Sequence, residues 1–292
     1  MALRVGYVPE HFSTPIFFAQ KHFGLDITAV PFPSGTGHMI IALRAGEIDV
    51  GIGLTEGWVA GLGKEQANDG GYKIVGTYVE TPLCWAISTG SSRPEIPGVD
   101  SLRGGKIGVS RIGSGSFVMG FVLADQRGWL STSASPDEKP YKDTVVLNTF
   151  ANLRNAVNDG TADFFMWEHF TSKKYYDNGE IKRVGEIYTP WSSWKIVAST
   201  AALARTADLD DLFAKLDQGI AYFNDHHEEA VAYISTALDY SEEDARAWLA
   251  TVRFPEHTRG VSEATIDKCI GILQKAGVLV DGQGATTAEM LN

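Results

Sequence analysis

The chain has 292 residues, about twice the ~150-residue prior for one domain, so one very large domain or two ordinary ones are expected. A hydrophobic share of 44% and a charged share of 21% describe a water-soluble globular chain, and a net charge of −11 argues against neutralising phosphate backbones, so nucleic acid is not an expected partner. No apolar run reaches the ~20 residues that span a bilayer, and no charged-then-apolar leader precedes Leu3 to Val8, so membrane insertion is not expected and a chain starting at Met1 is expected in the cytosol.

From the N-terminus, an apolar strand (Leu3 to Val8) is followed by a polar loop (Pro9 to Thr14). A helix follows, with Thr14 as N-cap, Pro15 at its first position and Gly24 past its end. A strand (Asp26 to Val30), a Ser34-Gly35-Thr36-Gly37 loop and a helix ending at Gly46 lead into the strand Val50 to Leu54. This βαβαβ order recurs. Strand Lys106 to Val109, loop Ser110 to Gly115, helix Ser116 to Arg127, strand Thr144 to Leu147, helix Asn152 to Asp159 and strand Phe164 to Trp167 repeat it. Val5-Gly6 matches Ile107-Gly108 at an offset of 102 and Gly46-x-x-Asp49 matches Gly160-x-x-Asp163 at 114; the difference of 12 is the length of the polar insert Ser131 to Lys142.

Apolar strands without alternation, separated by helices, belong to parallel sheets covered on both faces. The expected fold is α/β: two doubly wound βαβ lobes joined by a two-segment hinge, with a C-terminal helical extension. The crossovers run through Leu83 to Ile87 and through Thr189 to Ser199. The boundaries expected are 1–82 with 200–292 for the first lobe and 83–199 for the second, crossovers included. Helices are predicted at His227 to Leu238, Ser241 to Val252 and Ser262 to Ala276, the last closed by Gly277.

Ligands of such sheets bind outside the carboxyl ends of the strands, beside helix N-termini. That rule selects Glu10, His11, Phe12 and Ser13; Ser34, Gly35 and Thr36; Thr55, Glu56 and Trp58; and, in the second half, Arg111, Ser114, Gly115 and Ser116, with Trp167 and Glu168. The Arg111 to Ser116 loop is suited to a carboxylate, sulfonate or phosphate, because small residues admit a ligand to backbone N–H groups and Arg111 adds charge; the alternative is a serine N-cap with a glycine turn. It is neither a dinucleotide fingerprint, with Val118 at the third glycine's place, nor a P-loop, lacking the lysine. Trp85, Trp191 and Trp194 join Trp58 and Trp167 as aromatic residues beside the expected cleft, with hinge or core packing as the alternative.

Catalytic signals are sparse. His226-His227-Glu228-Glu229 is not H-E-x-x-H, since Val231 stands at the second histidine's place. His11 and His38 are the candidate acid–base groups of a competing enzyme reading. Two cysteines, Cys84 and Cys269, are expected as reduced thiols, and neither metal nor cofactor is expected.

The doubled lobes, two crossovers and helical tail resemble the type II periplasmic-binding-protein fold. Leu25-Asp26 and the paired Gly-x-x-Asp entries are similar to the branch that binds sulfonates, taurine, nitrate and thiamine-pyrimidine precursors. Ala162 to Phe170 and Thr189 to Trp194 look like a fungal intracellular family of that fold. The resemblance implies intracellular binding of a small anionic or heteroaromatic metabolite by hinge closure. The alternatives are an enzyme of cofactor or vitamin biosynthesis, with thiamine-pyrimidine or menaquinone-type chemistry, and a structural partner module. Thiamine-pyrimidine synthases of this fold carry a cysteine cluster and a lysine-bound pyridoxal phosphate; this chain has no cysteine cluster and no lysine in the loops selected above.

Overall fold

The computed structural model describes residues 2–64, 70–130, 139–280, 282 and 284–292. Most of the polar insert expected at Ser131 to Lys142 lies outside them. The element order is β1 (Leu3–Tyr7), α1 (Thr14–Phe23), β2 (Ile27–Pro31), α2 (Thr36–Arg44), β3 (Val50–Leu54), α3 (Thr55–Gly63), β4 (Tyr72–Val79) and β5 (Cys84–Gly90). It continues with β6 (Lys106–Val109), α4 (Gly115–Gln126), β7 (Asp143–Val146), α5 (Phe150–Asp159), β8 (Phe164–Glu168), α6 (His169–Asp177), β9 (Ile181–Tyr188) and β10 (Trp194–Ser199). The rest is helical: α7 (Thr200–Leu203), α8 (Thr206–Asp225), α9 (His227–Ala237), α10 (Glu242–Leu249), α11 (Glu263–Lys275) and α12 (Thr287–Met290).

The chain divides into two compact units. The first comprises Met1–Thr81, Trp191–Gly271 and Leu279–Asn292, and the second Pro82–Pro190 with Ile272–Val278. Each contains one five-stranded sheet, ordered β2-β1-β3-β10-β4 in the first and β7-β6-β8-β5-β9 in the second. The repeat seen in the sequence is therefore a repeat of sheets. The βαβ strands are parallel as expected, and each sheet also takes in one crossover strand that runs the other way: β10 is antiparallel to β3 and β4, and β5 antiparallel to β8 and β9. Burial on both faces makes a strand uniformly apolar whichever way it runs, so composition does not report direction. Residues Trp194–Ser199, expected with the second lobe, hydrogen-bond inside the first sheet instead.

The Gly-x-x-Asp repeat has one physical job in both units. Gly46 and Gly160 take positive φ, at 68° and 81°, to turn the chain out of α2 and α5, a conformation that costs glycine little. The aspartate three residues on then accepts the first strand's backbone N–H: Arg4 N to Asp49 Oδ2 at 2.8 Å, and Lys106 N to Asp163 Oδ2 at 2.7 Å. Each aspartate is also met by a guanidinium, Arg4 Nη2 to Asp49 at 2.7 Å and Arg93 Nη2 to Asp163 at 2.8 Å. The basic residue opening the strand reaches the turn glycine's carbonyl, Arg4 to Gly46 and Lys106 to Gly160.

In the first unit the core forms on Gly51 and Gly53, whose missing side chains leave room for the Trp58 ring; a Cβ on Gly51 would stand 2.7 Å from Trp58 Cη2. Edge strand β4 is buried because the C-terminal region covers it, with bridges Gly76 to Arg259 and Ile74 to Leu291. In the second unit Leu153, Ala156 and Val157 of α5 pack on Ala162, Phe165 and Ile181. The helix starts fall within two residues of expectation: Ser13, not Thr14, occupies the N-cap of α1, and Ser241 caps α10 by accepting from Asp244 N at 3.0 Å.

Candidate functional site

In the second unit, β6 ends at Val109 and the chain turns through Gly113, at φ 79°, into α4. Ser114 is the N-cap, its Oγ accepting from Phe117 N at 3.3 Å and standing 2.9 Å from Ser116 Oγ. Ser116 Oγ in turn accepts from Ser110 N at 3.4 Å. Both hydroxyls are buried. The serine N-cap alternative therefore describes the hydroxyls, while Gly115 and Ser116 carry first-turn amides that have no acceptor within the helix. Arg111 is half-buried beside them and Ile112 is exposed.

The next strand end carries Glu168. Its Oε2 accepts from Thr171 N at 2.6 Å, which makes Glu168 the cap of α6, and burial pushes its carboxyl up to about 7. Across the sheet Glu168 pairs with Trp85 of β5. Trp85 is buried, and its indole N–H has no hydrogen-bond partner among the described residues. Trp167 is half-buried and stacks on Phe150, centroids 4.8 Å apart, beside Tyr175 and Arg154. Beyond Trp85, the Cys84 thiol lies 3.5 Å from Glu186 Oε2, opposite Tyr188 in the strand register; burial raises it to about 12.

The first unit uses the equivalent loops differently. His11, Phe12 and Ser13 form a buried 3-10 turn in which the His11 ring lies 4.4 Å from Trp248 and 4.5 Å from Tyr240. Burial pulls His11 well below the usual histidine range, so the ring is neutral and enclosed, unlike the ligand-facing loop group expected of it. The Ser13 hydroxyl donates to Glu10 O at 2.7 Å, and Glu10 is half-buried. Ser34 is exposed, Gly35 caps α2 at φ 77°, and Thr36 Oγ1 is committed to Leu54 N at 2.9 Å. Thr55 donates to Ser192 O at 2.6 Å. Glu56 is buried and accepts from Trp191 Nε1 at 3.1 Å. Trp58, expected as a cleft wall, is wholly enclosed in the core on its glycine platform, because a flat ring matches a strand that lacks side chains.

One residue of the first unit, Lys195, was missed by sequence reasoning. Lys195 of β10 is 1% exposed; it donates to Ser192 Oγ and, at 3.2 Å, to Thr77 Oγ1, and burial lowers its ammonium to about 8. A lysine inside an otherwise apolar strand was the available signal. Trp194 begins the same strand, buried and packed on Phe12 at 5.0 Å, and its indole N–H also has no hydrogen-bond partner among the described residues.

Paired α/β units, each with one antiparallel strand inserted in a βαβ sheet, define the periplasmic-binding-protein fold. A solved structure from Candida albicans, the CA3427 gene product said to define a new family with that generic fold, is 44% identical, with a TM-score of 0.87, over 97% of this chain and 92% of that one. This chain belongs to that family. The family model described as Ca3427-like PBP matches residues 85–187. More distant structures share the fold: the alkanesulfonate-binding protein SsuA from Xanthomonas axonopodis bound to MOPS is 18% identical, with a TM-score of 0.76, covering all of this chain and 98% of that one. PhnD1 from Prochlorococcus marinus, in complex with methylphosphonate, is 12% identical, with a TM-score of 0.62, covering 95% of this chain and 99% of that one. No match was found among curated protein sequences. No helix of the described residues is long and apolar enough to cross a membrane.

Proposed function

We propose that this chain is a receptor for a small anionic metabolite, bound by the loops at the carboxyl ends of its strands. The observation that carries the reading lies in the second unit: the buried indole N–H of Trp85, opposite Glu168 at the strand end, has no hydrogen-bond partner among the described residues. An unmet buried donor costs about 1–3 kcal/mol, a cost that an acceptor-rich ligand removes on binding. Sulfonate, phosphonate and carboxylate groups are such acceptors. The first-turn amides at Gly115 and Ser116, the positive end of α4 and the Arg111 guanidinium supply the remaining positive potential. The sulfonate- and phosphonate-binding relatives of the same fold agree with an oxyanion as the ligand class.

Calorimetry and thermal-shift titration with alkanesulfonates, alkylphosphonates, short carboxylates and aminopyrimidines test this. One of the three oxyanion classes is expected to stabilise the protein, and aminopyrimidines are not. Trp85→Phe keeps the ring and deletes the N–H, and should weaken binding about tenfold. A folded protein that binds none of the oxyanions, or a Trp85→Phe variant that binds as tightly as the parent, would defeat the proposal.

A further inference from the structure

The second unit contains a cluster that the anion-binding reading does not use. Cys84, His169 and Glu186 each offer one donor atom, and these atoms all lie within 4.8 Å of one another. The strand register explains how residues so far apart in sequence meet. β5 pairs with β8 on one side and β9 on the other, with Trp85 opposite Glu168 and Cys84 opposite Tyr188. His169 follows Glu168 at the end of β8, so it flanks Cys84 on one side. Glu186 and Tyr188 flank it on the other, two residues apart and on one face of β9.

We infer that Cys84, His169 and Glu186 form a binding site for a zinc-type divalent cation, with one coordination position open to solvent. The donor set is one thiolate, one imidazole and one carboxylate, the combination a borderline-soft cation such as Zn²⁺ accepts, and three protein ligands leave the fourth tetrahedral position for water or an exogenous oxygen anion. The spacing fits: around a tetrahedral zinc, ligand atoms bonded at about 2.0–2.3 Å stand about 3.4–3.6 Å from one another. Cys84 Sγ and Glu186 Oε2 are already 3.5 Å apart. The imidazole needs only a side-chain adjustment to join them.

The exposures also suit a cation that exchanges with solvent. Cys84 and His169 are half-buried and Glu186 is exposed. Around the donors, Tyr188 stands opposite Cys84 in the strand register, a position from which its hydroxyl would hold the thiolate's orientation. Arg183 pairs with Glu186 and competes with the cation for that carboxylate. The buried Glu168 carboxyl lies near enough to Cys84 to interact with it electrostatically, adding a second acidic group to the surroundings. Cys269 belongs to the first unit, is fully buried and supplies nothing to this cluster.

The test is titration of the metal-free full-length chain with Zn²⁺ and Co²⁺, followed by calorimetry and by absorption. One equivalent of Zn²⁺ is expected to bind, and Co²⁺ should give a thiolate-to-cobalt charge-transfer band with tetrahedral ligand-field absorption. Cys84→Ser should abolish the charge-transfer band and lower Zn²⁺ affinity at least about 100-fold, and His169→Gln and Glu186→Gln should each lower it at least about tenfold. Cys269→Ala should leave band and affinity unchanged. Circular dichroism establishes that each variant is folded. A charge-transfer band that survives Cys84→Ser, or a Zn²⁺ affinity equal to the parent's in a variant combining Cys84→Ser, His169→Gln and Glu186→Gln, would overturn the assignment. The titration is independent of the anion proposal, since it is read with the cation alone.

Discussion

The first loop after the opening strand differs between the two units. In the first unit it is His11-Phe12-Ser13, turned inward against Tyr240 and Trp248 of the C-terminal helical region. In the second unit it is Arg111 to Ser116, whose hydroxyls serve the start of α4 and whose arginine stays half-buried. The helical tail accounts for the contrast. Helices α8 to α10 belong to the first unit and give its loop an apolar partner, whereas the second unit adds only Ile272–Val278 from the C-terminal region. Similar strand-loop-helix grammar thus yields packing in one place and polar, anion-compatible chemistry in the other. What packs against a loop, as much as its own residues, decides which.

The sharpest way to break this contrast is through the cores. Trp58→Ala removes a fully enclosed ring and leaves two facing glycines with nothing to pack on; a loss of about 3–5 kcal/mol is expected, read by chemical denaturation. A smaller and matched effect is expected at the aspartate turns. Asp49→Ala and Asp163→Ala each remove a carboxylate that accepts a strand N–H and an arginine, and each should cost about 2 kcal/mol. If one costs nothing, the mechanical equivalence of the two motifs fails. Smaller again, Ser114→Ala should destabilise by about 1 kcal/mol, the value of an N-cap, with a loss of protection in the first turn of α4 by hydrogen exchange.

The pH dependence separates the units further. Arg4 holds the Asp49 carboxyl below its ordinary range, so the folded form binds its proton less readily than the unfolded chain does; that stabilisation is present above pH ~4 and is lost on acidification. Glu168 behaves oppositely. With its folded value near 7, the folded form holds more protons than the unfolded chain between pH ~4.5 and 7, so stability falls as pH rises through that window and is flat above it. Glu168→Gln keeps the acceptor for Thr171 and should flatten that slope, measured as Tm against pH; a slope unchanged in the variant would assign it to another group.

Much of the fold was legible in the sequence for identifiable reasons. Val50–Leu54 and Lys106–Val109 are bounded by Asp49 and by glycine-bearing turns, and both strands were read to the residue. Strand polarity at β5 and β10 was not legible, since an apolar strand buried on both faces looks the same in either direction. The loop selection named Glu168 and the tryptophan reading named Trp85; the structure pairs the two across neighbouring strands. It did not find Lys195, hidden inside an apolar run, and it could not find Cys84 beside Glu186, because a register between distant strands leaves no spacing to read.

The placement of β10 has a consequence for how the polypeptide assembles. It lies between β3 and β4, so the first sheet cannot close until residues 194–199 have been made. All five strands of the second sheet lie within 84–188, so that sheet has its full complement while the earlier one still lacks a central member. Synthesis order and completion order are therefore inverted: the N-terminal sheet waits, with β3 and β4 unjoined and their backbone groups open to wrong partners, for a segment that arrives more than a hundred residues later.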